Sequence, residues 1–279
     1  MPLTGTGAIV AASAAAGRGV GAFNVIQLEH AQAIVAGAEA AGAPVILQIS
    51  ENAVRYHGAL KPIGRAALAV AEASAVPVAV HLDHATSTDL VREAVELGFG
   101  SVMFDASALE YAANVEATAA VAADCHIAGC WVEAELGEVG GKDGVHAPGA
   151  RTVPAEAAAF VTATGVDALA VAVGTSHAML TRHAAVDFDL IAALRAAVPV
   201  PLVLHGSSGV ADEDLTAAVE RGMAKVNIAT HLNGVFTSAV REVLAADPRL
   251  VDTRRYLGPA RSTTGVEVAR LLKVLKAAD

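Results

Sequence analysis

The chain has 279 residues, of which 54% are hydrophobic and 17% are charged, and its mean hydropathy is +0.50. This composition excludes a disordered chain and requires a large core, while the length permits either two domains or one closed α/β barrel. The 19 Lys and Arg residues against 29 Asp and Glu residues give a net charge of −10, which argues against nucleic acid or an anionic membrane as a partner because both attract basic surfaces.

Short apolar runs with β-strand character alternate with stretches of helical periodicity along the chain. In chain order, the predicted strands are Val20–Val25, Pro44–Ser50, Pro77–Asp83, Ser101–Asp105, Cys130–Glu135, Ala168–Gly174, Pro201–His205 and Lys225–Asn227. The predicted helices are Ala11–Ala16 and then Leu28–Ala41, Ile63–Ala73, Ser87–Leu97, Tyr111–Ala123, Pro154–Thr164, Asp187–Ala197, Ala211–Arg221 and His231–Ala246. Strict alternation with near-continuous apolar strands is typical of a parallel sheet covered on both faces. We therefore predict an α/β fold in which residues 1–279 form a single (β/α)8 TIM barrel domain with a C-terminal helical extension.

Two segments depart from the regular spacing of these elements. Gly137–Arg151 is polar and glycine-rich and follows the fifth strand, where a long loop is more often functional than a tolerated insertion. Asp247–Asp279 follows the eighth barrel helix and supplies the predicted extension.

The chain carries no sequence signal for membrane insertion or export. It has no run of about 18 uninterrupted apolar residues, and Met1–Val20 lacks a charged segment followed by an apolar block. The two thiols, Cys125 and Cys130, do not form a Cys-x-x-Cys pair, so we interpret them as reduced packing residues. We therefore expect a cytoplasmic protein.

Polar residues stand at the ends of the predicted strands. In chain order they are Asn24, Ser50, Asp83 with His84, Asp105, Glu135, His177 just past strand six, His205, and Asn227 with Thr230. Active sites of (β/α)8 barrels lie at the carboxyl ends of the strands. The ring of polar residues therefore predicts one active site at this end, with Asn24 and Ser50 as candidates for substrate binding.

Three of the strand-end residues are histidines from three different strands. His84, His177 and His205 can bind one metal ion together and leave a coordination position open, which is the pattern of catalytic zinc. The alternative is that each is a hydrogen-bonded histidine at an element terminus. His81 lies on the same strand as His84 and is interpreted as a packed neighbour.

Acidic residues accompany the predicted metal site. Asp83 directly precedes His84, so one side chain can hold the metal while the other acts as acid or base, although Asp83 could instead cap the next helix. Glu133 and Glu135 share one face of strand five. They either contact a ligand histidine or a second metal position, or form a buried polar layer inside the barrel.

The loops after strands seven and eight have the features of a phosphate site. Gly206–Gly209 and Asn227–Thr230 supply backbone N–H groups and hydroxyls at helix N-termini, where (β/α)8 barrels frequently bind phosphate. Only Lys225 among the lysines lies beside a predicted strand, so a Schiff base has a single candidate and a metal ion is the better electrophile.

Five motifs, in this order, resemble those of the class II zinc-dependent ketose-bisphosphate aldolases, which include the fructose- and tagatose-bisphosphate enzymes. The motifs are His81–His84, Val132–Gly137 with Gly140 and Gly141, Gly174–His177, Leu204–Ser208 and Lys225–Thr230. The resemblance extends from Gly21 to Arg261. It implies reversible cleavage of a ketose phosphate such as fructose 1,6-bisphosphate into dihydroxyacetone phosphate and an aldehyde such as glyceraldehyde 3-phosphate.

The resemblance also implies roles for individual residues. His84, His177 and His205 would bind Zn²⁺, Asp83 would exchange the proton of the C4 hydroxyl, Asn227 would stabilise the enediolate, and Gly206, Ser208 and Thr230 would hold the C1 phosphate. Asp143 stands where the family has a loop glutamate that moves the substrate C–H proton, and its shorter side chain changes the reach of the carboxylate.

Two further positions bear on partners. Ala178 stands where the family often has glycine, which affects a contact to phosphate or to a monovalent cation. Arg254 matches an arginine that reaches the far phosphate from a neighbouring subunit, so the resemblance implies a homo-oligomer, either a dimer or a tetramer.

Three alternatives remain open at the level of the sequence. The first is a tagatose-bisphosphate or other ketose-1-phosphate aldolase, which Ala229 favours because tagatose-type members have alanine there. The second is a barrel metallohydrolase, which commonly has a His-x-His pair on strand one, where this chain has Asn24. The third is a non-catalytic barrel that binds a sugar phosphate.

Overall fold

A computed structural model describes residues 3–136, 151–175 and 184–277 of the chain. The described strands are β1 (Val20–Asn24), β2 (Val45–Ser50), β3 (Val78–Ala85), β4 (Ser101–Phe104), β5 (Trp131–Glu135), β6 (Ala168–Ala170), β7 (Leu202–Leu204) and β8 (Met223–Ile228). The described helices are α1 (Thr6–Ala15), α2 (Leu28–Ala41), α3 (Glu51–His57), α4 (Leu60–Glu72), α5 (Thr88–Leu97), α6 (Tyr111–Ile127), α7 (Pro154–Thr164), α8 (Phe188–Ala197), α9 (Asp212–Arg221), α10 (Thr230–Ala246) and α11 (Arg254–Val274).

The eight strands form a closed parallel barrel in sequence order, and β8 pairs with β1. Each strand except β1 follows a helix that returns the chain to the other end of the barrel, which is the connection that parallel strands require. The strands are buried on both faces, between the barrel interior and the surrounding helices, and this explains their near-continuous apolar sequences. The structure confirms the predicted (β/α)8 barrel, and every predicted strand overlaps an observed one.

Local signals in the sequence set the bounds of the helices. Helix α5 begins after Ser87, whose Oγ accepts from Leu90 N at 3.4 Å, and it ends at Gly98 in the left-handed region with φ +98°. Both are preferred capping residues, because serine satisfies a free N–H group and glycine adopts positive φ without strain. Because Ser87 caps this helix, the structure removes the alternative that Asp83 does so.

The structure corrects two of the predicted elements. Helix α3 was not predicted between strands two and three; it starts at Ser50, whose Oγ accepts from Ala53 N at 3.2 Å. Strand six ends at Ala170 rather than at the predicted Gly174, because the chain beyond it pairs with another segment. Val173 forms an antiparallel bridge with Arg151 instead of continuing the barrel ladder.

Helix α11 forms the predicted C-terminal extension and packs on α2 outside the barrel. The two helices approach closely at Gly37 and Gly265, where neither residue has a side chain to hold the backbones apart. Cys125 and Cys130 are buried and free. Among the helices in the described parts of the chain, none is long and apolar enough to cross a membrane.

Candidate active site

An irregularity in β3 brings two neighbouring side chains to the mouth of the barrel. The register against β4 shifts between Leu82 and Ala85, and His84 has a positive φ of +50°. Successive residues of a regular strand point to opposite faces, whereas a bulge can re-aim one of them. Asp83 and His84 therefore both line the same cleft.

The structure brings together three groups that can bind a metal ion. His84 Nε2 lies 3.0 Å from His205 Nδ1, and Glu135 Oε2 lies 3.8 Å from that same Nδ1. The ligand atoms of these three residues all lie within 4.8 Å of one another. Ligands of a tetrahedral zinc ion stand about 3.4 Å apart, and imidazole and carboxylate are among its usual ligands. The residues therefore fit a divalent cation; the third predicted histidine, His177, lies outside the described residues.

The orientation of His84 is set by a second carboxylate. His84 Nδ1 donates to Asp105 Oδ2 at 2.9 Å, and Asp105 in turn accepts from Ser107 N at 3.2 Å and from its hydroxyl at 2.6 Å. A carboxylate that holds one ring nitrogen leaves the other for the metal. The sequence identifies Asp105 only as a polar strand end, because its partner His84 comes from the neighbouring strand.

Asp83 is held by two amides from other strands. Its Oδ2 accepts from Asn24 Nδ2 at 3.1 Å and its Oδ1 accepts from Asn227 Nδ2 at 3.4 Å. Gln48 Nε2 donates to Asn24 Oδ1 at 2.6 Å and so orients the first amide. Asp83 is only 3% exposed but still lines the cleft. Gln48 was not predicted, because it lies inside an apolar strand rather than at its end.

The cleft at this end of the barrel has a volume of about 370 Å³. The predicted phosphate residues Gly206, Ser208 and Thr230 line it, together with Ala229. Ser208 Oγ accepts from the backbone N–H of His231 at 3.2 Å, so the serine meets the N-terminus of α10. An anion at this position would be favoured by the free N–H groups of the helix and by its dipole.

Another wall of the cleft is formed by Ser50 and helix α3. Asn52 and Arg55 line the cleft there, and Arg55 is the one arginine or lysine among its described lining residues. Glu51 accepts from Thr86 N at 2.6 Å and pairs with Arg55. Burial alone would raise the pKa of Glu51, but the hydrogen bonds from Thr86 and Arg55 outweigh burial and lower it. Sequence reasoning missed this wall because α3 was not predicted.

A buried polar layer lies inside the barrel beside His205. Glu133 Oε1 lies 3.0 Å from His205 Nε2, and Glu133 Oε2 accepts from Lys225 Nζ at 2.7 Å. The structure thus separates the two glutamates of strand five: Glu133 contacts a histidine, and Glu135 joins the metal-binding cluster. His81 is completely buried and contacts Ser101 Oγ at 2.8 Å; burial, above all, holds its pKa well below the ordinary value.

One predicted site residue in the described part of the chain, Arg254, does not line the cleft. The side chain of Arg254 is 89% exposed and pairs with Asp252 at 2.9 Å, at the start of α11. Asp143, the predicted loop acid, lies outside the described residues, as does Ala178.

Known proteins resemble this chain in sequence and in structure. The sequence profile of the family "Fructose-bisphosphate aldolase class-II" matches residues 5–279. A fructose-bisphosphate aldolase from Thermus caldophilus is 40% identical over 88% of this chain and 89% of that protein. One from Geobacillus stearothermophilus is 41% identical over 87% of this chain and 86% of that protein. The crystal structure of the YdjI aldolase from Escherichia coli K12 has a TM-score of 0.88 and 30% identity, covering 99% of this chain and 98% of that one.

Proposed function

Because the chain belongs to the class II fructose-bisphosphate aldolase family and is therefore a metal-dependent carbon–carbon lyase, we propose that it reversibly cleaves fructose 1,6-bisphosphate into dihydroxyacetone phosphate and glyceraldehyde 3-phosphate. The observation that carries this proposal is the cluster of His84, His205 and Glu135 beside the Asp83 carboxylate in one cleft. Family membership removes the metallohydrolase and the non-catalytic barrel as alternatives.

The metal in this proposal is Zn²⁺. His84 and His205 would hold it, with His177 as the third ligand and Glu135 as an additional carboxylate. When bound, the ion supplies a Lewis acid that stabilises negative charge on the substrate oxygens. Two imidazoles and a carboxylate are a donor set that suits zinc better than magnesium or calcium, which prefer oxygen ligands.

Asp83 is the proposed base for carbon–carbon cleavage. In that direction its carboxylate removes the proton of the C4 hydroxyl, and in the synthetic direction it returns the proton. The amides of Asn24 and Asn227 hold both carboxylate oxygens, so the base is oriented before substrate binds and loses little entropy in the reaction. Asn227 also faces the cleft, where its amide would stabilise the enediolate by donating a hydrogen bond.

Two sets of residues that line the cleft would orient the substrate, one at its C1 phosphate and one at its sugar. Gly206, Ser208 and Thr230 would hold the C1 phosphate near the N-terminus of α10. Asn24 and Ser50 would contact the sugar. Asp143 would move the C–H proton of dihydroxyacetone phosphate.

Partner and ion contacts complete the proposal. Arg254 would reach the far phosphate of a substrate bound to a neighbouring subunit. Such a contact requires a dimer or a tetramer. Ala178 would affect a contact to phosphate or to a monovalent cation. Both assignments rest on the resemblance of the sequence to the family.

Asp83→Asn tests the base and His205→Ala tests the metal site. We expect Asp83→Asn to lose most turnover in a dihydroxyacetone phosphate release assay while it keeps its zinc, because the amide is nearly isosteric but cannot accept a proton. We expect His205→Ala to lose the zinc itself, as measured by metal analysis of the purified protein. Normal turnover of metal-free protein would contradict the proposal.

A second candidate substrate is tagatose 1,6-bisphosphate, the C4 epimer. Ala229 lines the cleft with a methyl group, which offers no hydrogen bond to distinguish the two orientations of the C4 hydroxyl. A substrate panel of fructose and tagatose bisphosphates and of ketose 1-phosphates decides between them by kcat/KM. A higher kcat/KM for tagatose bisphosphate would assign the chain to that substrate.

A further inference from the structure

A buried ion pair lies next to the proposed metal-binding cluster and is not explained by metal binding itself. The Lys225 ammonium and the Glu133 carboxylate are 2.7 Å apart, and both side chains are completely buried. Removing two charges from water costs several kcal/mol per ion, so a buried pair of this kind is weak support for the fold on energetic grounds.

The carboxylate of Glu133 contacts one ring nitrogen of His205. Its Oε1 lies 3.0 Å from His205 Nε2, on the side of the ring away from the cluster. The other ring nitrogen, Nδ1, lies 3.0 Å from His84 Nε2 and 3.8 Å from Glu135 Oε2. The two nitrogens of this ring therefore have different neighbours, and a neutral imidazole carries its single proton on only one of them.

The position of that proton follows from charge. A carboxylate paired with Lys225 is an acceptor, so Glu133 favours a proton on Nε2, and a hydrogen bond to a charged group is about twice as strong as one between neutral groups. Among the described residues, Asn227 Nδ2 also approaches Nε2, at 3.1 Å, but it donates to Asp83 at 3.4 Å as well. An unprotonated Nε2 would direct its lone pair at the Glu133 carboxylate in a buried site, which is repulsive.

We propose that Glu133, held by Lys225, is a positioning residue that fixes His205 as the Nε2–H tautomer and thereby makes Nδ1 the metal ligand. The inference rests on the metal site of the proposed function. Lys225 then has a role that involves no Schiff base: its ammonium holds the Glu133 carboxylate in place beside His205. Loss of a group that orients a metal ligand typically costs 10- to 100-fold in metal affinity.

The test uses the double variant Glu133→Leu/Lys225→Met, because the side-chain carbonyl of a glutamine would still accept from His205 Nε2–H. Either single substitution leaves one charge buried without a partner and can prevent folding, whereas the double variant removes both charges and keeps the approximate volume. The matched control is Glu220→Leu/Lys276→Met, which makes the same two substitutions in a surface pair at 2.9 Å. Thermal unfolding of the apoproteins verifies that both variants are folded.

Two measurements decide the inference. Zinc affinity by chelator competition is expected to fall about 10- to 100-fold in the double variant and to stay unchanged in the control. Nitrogen NMR of histidine-labelled wild-type apoprotein is expected to show the His205 proton on Nε2, and the double variant to lose this preference. Unchanged affinity in the folded double variant, or a proton on Nδ1 in the wild type, would overturn the inference. If wild-type protein bound no zinc, the proposed function would fail, while the NMR experiment would still decide the tautomer.

Discussion

A methyl group added at Gly37 would remove the space through which α11 packs against α2. An ideal Cβ at Gly37 lies 2.5 Å from the carbonyl oxygen of Gly265 and 2.7 Å from Val268 Cβ. Ordinary contacts at such a carbon are 3.4 Å or longer, so the helices must separate by nearly an ångström. Neither contact can be relieved by a side-chain rotation, because one is backbone and the other is a Cβ atom.

The expected loss of stability for Gly37→Ala is about 2 kcal/mol. Overpacking of a dense interior typically costs about 1–3 kcal/mol, and the gain in helix propensity from glycine to alanine returns at most about 1 kcal/mol. For a protein of this size, a net loss of about 2 kcal/mol lowers Tm by about 3–4 °C. The loss of packing also loosens α11. This helix carries Glu267, and Glu267 Oε1 lies 2.6 Å from His231 Nε2, beside the proposed phosphate site.

Thermal unfolding of matched alanine variants measures this effect. The control is Gly234→Ala in α10, where an added Cβ meets nothing within 4 Å, so only the favourable helix propensity remains. We expect Gly234→Ala to raise Tm slightly and Gly37→Ala to lower it. A Gly37→Ala variant as stable as the wild type would show that α2 and α11 are not packed as closely as we describe.

Three further predictions concern acid stability, the metal and the phosphate loop. Burial alone would raise the pKa of Glu267, but hydrogen bonds from Arg270 and His231 outweigh it and lower the pKa from 4.5. This carboxylate therefore adds stability that is present above about pH 4.5 and lost at lower pH, and in urea titrations Glu267→Gln should lose less free energy of unfolding on acidification than wild type. Removal of the metal by a chelator should abolish turnover and lower Tm, because a ligand at 100 times its Kd stabilises the native state by about 2.7 kcal/mol. Added zinc should restore both turnover and Tm. An unchanged Tm after chelation would argue against a bound ion. Ser208→Ala should raise KM about five- to tenfold with little change in kcat, because it removes binding common to ground and transition states; an unchanged KM would place the phosphate elsewhere.

The barrel was predictable because its signals are local. Each strand is buried on both faces and therefore has an apolar sequence. Among the helices between the strands, α5 begins after a serine, and α2 and α5 end at a glycine. Helix α3 escaped prediction because Glu51–His57 is short and only Ala53 in it is buried, so no apolar stripe marks it. The cleft wall that carries Arg55 was missed for the same reason.

The site was predictable only as a set of residue types at strand ends. Period-two alternation placed Glu133 and Glu135 on one face of β5, but it could not tell which of them approaches the metal-binding cluster. That distinction depends on Lys225, 92 residues from Glu133, and on His205, 72 residues from it. Likewise, Asp83 and His84 share the cleft because β3 shifts register against β4, and register is a property of two strands together. Local periodicity thus specified the barrel and its polar rim, whereas closure of the barrel decided which polar groups meet.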